Sequence, residues 1–218
     1  MAGTTVYLEV GAKKVFACAV DWPGWCRAAK DEPGALEALA DYADRYAPVA
    51  ATADVRFPRN AADALTVVEK VQGGATTDFG APGVVPDLDR RPATKAQAER
   101  QATLLEAAWT VLDRVASGAP ASLRKGPRGG GRDRDKMLQH VLGSESGYAR
   151  QLGIKHPEPA LGDDDAVRAL RDDVVAVLRA ARKGEPLKEK GWPPRYAARR
   201  FAWHALDHAW EMQDRSES

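Results

Sequence analysis

The apolar positions of this chain change period along its length. From residue 4 to about 72, short β-rich runs alternate with turns and one helical stretch. TVYLEVG and KKVFACAVD are separated by a short Gly-containing turn, which predicts a hairpin. WPGWC follows, with Pro-Gly as a turn. GALEALADYADRYAPVA carries apolar residues at helical spacing, and ADVRF and ALTVVEKVQ add further short strands. The pattern is α+β: a small antiparallel sheet packed on one helix, over residues 1–72.

Residues 73–93, from GGATTDFGAPGVVPDLDRRP, are rich in Gly and Pro and lack a period, so they read as a linker. Their scattered apolar residues (Phe79, Val84, Val85, Leu88) leave open that the stretch packs on a surface. From residue 94 to 218 the pattern is all-α. TKAQAERQATLLEAAWTVLDRVAS is a long helix with Thr94 as N-cap. DKMLQHVLGSESGYARQLG is a second, capped by Asp133 or Asp135 and ending near Gly153. DDDAVRALRDDVVAVLRAARKG runs from acid to base, as the helix dipole favours, with a Gly C-cap. PPRYAARRFAWHALDHAWEMQDR is the fourth, amphipathic, with prolines in its first turn. Four such helices make a bundle, with Trp109, Trp203 and Trp210 expected in its core.

Composition adds limits rather than identity. The chain has 218 residues, 44% hydrophobic and 29% charged, as in an ordinary globular protein. No apolar run approaches the roughly 18 residues of a membrane span, and MAGTTVYLEV does not read as a signal peptide. A cytoplasmic location is the expectation. A reducing cytosol argues against a Cys18–Cys26 bridge. Net charge is +1, so no global field draws nucleic acid or anionic membrane.

The chemistry concentrates on three histidines. His204 and His208 are four residues apart on one helix, which sets their Cβ atoms about 6 Å apart on one face. His140 lies on a second helix. Two histidines from one helix and one from another can build a divalent-metal site in a bundle core. Three protein ligands leave coordination positions for water or substrate, the arrangement of a catalytic metal. His156, before Pro157, reads as surface. Glu211, seven residues after His204, is an imidazole acceptor, a general base or a solvated residue. Glu145, five residues past His140 and so about 140° around the helix, suits an outer-shell contact or inter-helix salt bridge. Asp207 reads as the partner of an arginine on a neighbouring helix. The run from Arg124 to Lys136 holds six basic residues among glycines. It is either a solvated loop or a means, through Arg132 and Arg134, of holding a carboxylate or phosphate at the site mouth. Trp22 and Trp25 flank the Pro-Gly turn, where they would cover the sheet, the interface between domains, or the wall of a metal pocket.

His140 followed by Glu145, together with WHALDHAWEMQDR, resembles the DinB-like superfamily of metal-binding four-helix bundles over residues of about 95 to 216. That resemblance implies His140, His204 and His208 as ligands of zinc or nickel. It also implies a small-molecule substrate and, in some members, transferase or isomerase activity with a thiol such as mycothiol or bacillithiol. VYLEV and DWPGWCRAAKDEPGALEALADYADRYA resemble a HicB-like domain, without the DNA-binding module of HicB antitoxins. Richness in Ala, Arg and Asp suggests a GC-rich bacterial genome of the actinobacterial, mycothiol-making kind. The leading expectation is a metal-dependent enzyme that activates a thiol or water: an S-transferase, isomerase or hydrolase. A non-catalytic regulatory or sensing module is the second reading. The third is a metal-free scaffold for homodimer assembly.

Overall fold

A computed structural model describes residues 3–126 and 131–216 of the chain. The sheet has four strands: β1 (Thr4–Val10), β2 (Val15–Ala19), β3 (Cys26–Ala29) and β4 (Leu65–Gln72), in the order β3-β2-β1-β4. The hairpin forms as expected, β1 antiparallel to β2 and β2 to β3. The wholly antiparallel expectation fails at β4, which runs parallel to β1. A parallel neighbour needs a long crossover, and two helices supply it. These are α1 (Glu32–Asp41) and α2 (Ala43–Thr52), where the sequence pattern predicted one. Asp31 caps α1 by accepting from the Gly34 amide, and the helical path breaks at Tyr42. ADVRF is not a strand; its Phe57 packs edge-on against Trp22 and Trp25.

Both faces of the sheet are covered. Val6, Leu8, Val15, Ala17 and Ala19 join the main core with Leu39, Tyr46 and Trp25 under α1 and α2. Tyr7, Phe16, Cys18 and Cys26 face the other way and form a second cluster with Leu88 and Trp203. A strand buried on both faces reads as a continuous apolar run, which is why VFACA shows no alternation.

Residues 73–93 are a structured strap across that second face. They contain a short helix, α3 (Ala75–Phe79), and a 3₁₀ turn at Asp87–Arg90. Two sheet carboxylates fasten them. Glu9, fully buried on β1, accepts from the Thr77 hydroxyl and from the amides of Gly83 and Val84. Glu69 on β4 accepts from the amides of Asp87 and Leu88. Charge-assisted bonds of this kind satisfy backbone groups that no ladder pairs. Leu88 packs inward, while Phe79 is 90% exposed.

The remaining chain is the helical bundle: α4 (Lys95–Gly118), α5 (Arg134–Gln151), α6 (Asp164–Ala180) and α7 (Pro194–Ser216). Thr94 and Gln97 form a reciprocal capping box at α4. Asp133 holds the cap position of α5 but spends its side chain on the Leu123 amide and Lys125. Asp163 caps α6, which stops at Ala180, short of the expected glycine cap. The helices α4 and α5 each pack against both α6 and α7.

The last helix is not amphipathic in the sense its pattern suggested. Phe201 packs edge-on against Trp109 on α4, inside the bundle. Trp203, expected there too, instead meets Phe16 of β2 edge-on at 6.2 Å. Trp210 meets Tyr42, and Leu206 and Ala202 press on Gly24 of the Pro-Gly turn. Arg199 pairs with Asp89 of the strap and donates to the Val20 carbonyl. The helix thus lies between bundle and sheet, and the core of largest buried residues is shared by residues before 73 and after 94.

Candidate metal centre

The inner face of α7 and the first half of α5 bring His140, His204 and His208 together. One ligand-capable atom from each lies within 4.8 Å of the others. The three rings meet edge to face, with centroids 5.0, 5.1 and 4.7 Å apart. His204 Nε2 stands 3.3 Å from His140 Nε2. In a tetrahedral site with Zn–N bonds of about 2.0–2.1 Å, nitrogens stand about 3.3–3.4 Å apart, so this pair already has ligand spacing. His204 and His208 are buried; His140 is half-buried and opens the cluster towards solvent.

Electrostatics favour the neutral form of two of the three rings, His140 and His204. Burial pushes the His204 imidazole well below its ordinary range, and the neighbouring His208, His140, Arg200 and Arg132 push the same way. Burial also lowers His140, followed by Arg132 and His208, with Glu211 opposing. A neutral imidazole is the form that binds a metal. His208 Nδ1 bonds Glu211 at 3.0 Å, and Glu211 is held in turn by Arg215 at 2.8 Å. That hydrogen bond from His208 is the main cause of a lowered Glu211 carboxyl, which stays ionised. A carboxylate on the far nitrogen fixes the ring and leaves Nε2 for an ion. His204 Nδ1 is buried without a hydrogen-bond partner among the described residues. With one ring nitrogen from each histidine converging, the donor set could hold a divalent metal ion.

The other sequence candidates fall in different places. Glu145 is turned away from the histidines, buried and paired with Arg171 of α6 at 3.1 Å. Burial raises its carboxyl, with Arg171 opposing. Arg171 lines a groove of about 730 Å³ between α4, α5 and α6, which includes neither Glu145 nor the triad. Arg134 bonds Asp135 and the Ala119 carbonyl. Arg132 acts on the histidines through its charge. Part of the basic run, residues 127–130, lies outside the described residues. Asp207 pairs with Arg27 of β3, a strand and not a neighbouring helix. His156 pairs with Asp173 on α6. Trp22 and Trp25 are buried with Tyr46 under α2 and do not wall the triad.

Cys18 and Cys26 are free thiols facing each other across β2 and β3, beside Trp203 and outside the histidine cluster. Sequence reasoning missed two residues that bear on the centre. Arg200 lies one turn before His204, and Tyr148 packs on the His204 ring at 5.7 Å between centroids. Their helical offsets from the histidines were the available signal. Among the described residues no helix is long and apolar enough to cross a membrane. Comparison with protein-family models, curated proteins and solved structures finds no match for this chain.

Proposed function

We propose that this chain is a metal-dependent enzyme of DinB-like character, with a HicB-like sheet region before it. Its centre is a divalent ion held by His140, His204 and His208. The observation that carries the reading is three converging imidazoles, two with ring nitrogens 3.3 Å apart, with Glu211 orienting the third. A zinc or nickel ion there would acidify a bound thiol or water, the requirement for thiol transfer, isomerisation or hydrolysis near neutral pH. The chain's own side chains divide the remaining work. The half-buried His140 leaves an approach from solvent, and Tyr148 and Trp203 shield His204 from it. Cys18 and Cys26 are outside the cluster, so a thiol nucleophile would arrive as a small co-substrate of the mycothiol class.

The test is the metal content of untagged, chelator-free protein beside His204→Ala and His140→Ala. About one zinc or nickel per chain in wild type, lost in both variants, is expected of three-ligand binding. Absence of metal in every preparation, with none taken up on addition, would sink the proposal.

A further inference from the structure

Arg200 sits four residues before His204, so its side chain shares the helix face of the triad. Its guanidinium lies over the Trp203 ring at 4.7 Å and the Tyr148 ring at 5.4 Å. Both rings also flank His204, at 5.9 and 5.7 Å. One nitrogen, Nη1, donates to the Pro82 carbonyl, while Nε is buried with no partner. Stacking between two aromatic rings fixes the plane of the guanidinium and leaves its hydrogen-bonding edge directional.

Three other enclosed arginines of the bundle are closely paired, Arg199 with Asp89, Arg171 with Glu145 and Asp113, Arg215 with Glu211, while Arg195 has Asp21 at 4.0 Å. Among the described residues no carboxylate lies within ion-pair distance of Arg200, nor of Arg132. Arg132 follows Gly131, whose backbone rests on the Arg215 guanidinium; a Cβ there would stand 2.7 Å from it. Among the described residues the centre therefore has one arginine beside His204 with no carboxylate partner, and Arg132 adds positive charge felt at both His140 and His204. Glu211, the carboxylate on His208, is already shared with Arg215. A divalent ion would add two more positive charges. A partly desolvated cation without a counter-charge is costly, and a ligand that brings the anion removes that cost.

From this we infer that the centre takes an anionic small molecule, a carboxylate that docks on Arg200 while a second group of the same molecule reaches the metal. The inference rests on the metal reading above and names the substrate class for it. Arg200 is a specificity residue that touches the ligand, and Arg132 strengthens the field at the mouth. A planar carboxylate matches the guanidinium fork in two parallel hydrogen bonds, which a lysine cannot reproduce.

The test uses the full-length protein loaded with Co²⁺, whose visible absorption reports ligands at the metal without any activity. Acetate, malonate and inorganic phosphate are titrated separately. Wild type is expected to bind malonate about tenfold or more tighter than acetate, a gap of about 1.4 kcal/mol. In Arg200→Gln that ratio should fall to about twofold, with one Co²⁺ still bound; Arg132→Gln should lose a smaller factor. An unchanged ratio in a folded, cobalt-loaded Arg200→Gln overturns the inference and leaves the metal reading intact. If Arg200→Gln does not fold, Arg200→Lys serves: it must weaken malonate about threefold or more, and unchanged affinity overturns the inference. Phosphate bound tighter than malonate overturns the carboxylate assignment. Wild type that takes up no Co²⁺ brings down both the metal reading and this one.

Discussion

At the scale of single residues, the centre depends on protons as much as on position. His140 and His204 both titrate below the ordinary imidazole value of about 6.5. The metal-binding form is the neutral one, so at these two rings binding would keep its full strength below that value and weaken only as pH falls through the lowered ones. Competitive zinc titration should give an affinity nearly level from about pH 8 to 7 that is lost on acidification through the lowered imidazole values. An affinity that never falls on acidification, in protein that stays folded, would count against imidazole ligation. Glu211 acts through His208. Glu211→Gln should keep the fold but weaken metal binding by about 10- to 100-fold, as loss of a carboxylate behind a histidine ligand does elsewhere. Affinity equal to wild type would reduce Glu211 to a surface partner of Arg215. The His204–His208 pair was legible in the sequence because four residues nearly complete a helical turn. Arg200 is one further step of four along the same row and escaped notice because a lone arginine on a helix is ordinarily solvated.

Among the elements, α7 carries the most structural demand, since the sheet, the strap and the bundle all pack on it. Gly24, at φ 92°, lets the Pro-Gly turn approach it; an added Cβ would lie 2.6 Å from Leu206 Cδ1 and 3.1 Å from the Ala202 carbonyl. Gly24→Ala combines left-handed strain with overpacking, a cost of about 3 kcal/mol. Thermal melting should drop by roughly 6–12 °C, at about 2–4 °C per kcal/mol for a chain of this size. A shift under about 2 °C would mean that the turn and helix adjust freely. The long helices, their spacing and the Thr94 cap could be read directly, because local periodicity and capping chemistry act within a turn of the chain. The strap could not. Its order comes from Glu9 and Glu69, which reach it from 68 to 75 and from 18 to 19 residues away. Side-chain bonds to irregular backbone leave no period in a sequence.

For the whole molecule, the two parts of the chain are joined through the Asp89–Arg199 pair and the Trp203 cluster. Asp89→Ala would leave Arg199 charged and buried, an expected loss of about 3–5 kcal/mol in urea unfolding. A loss below about 1 kcal/mol would show water reaching the pair. A fragment of residues 94–218 would expose Tyr196, Trp203 and Leu206 to water. Gel filtration and near-ultraviolet circular dichroism should find it aggregated or loosely packed. A monodisperse, cooperatively melting fragment would show instead that the bundle stands alone.

What the sequence determined by itself was what local forces settle: the helices, the first hairpin, the α+β order and the shared face of His204 and His208. Periodicity, turn residues and caps act over a few positions and are written there. Tertiary structure alone decided that β4 runs parallel to β1, that the Gly-Pro stretch is a strap, and that Trp203 belongs to the sheet. It also decided that His140 comes within 3.3 Å of His204 and that Arg200, without a carboxylate partner among the described residues, stacks on the two rings that flank His204. Those outcomes depend on which surfaces meet, and packing between distant segments is set by the volume and charge of the whole chain.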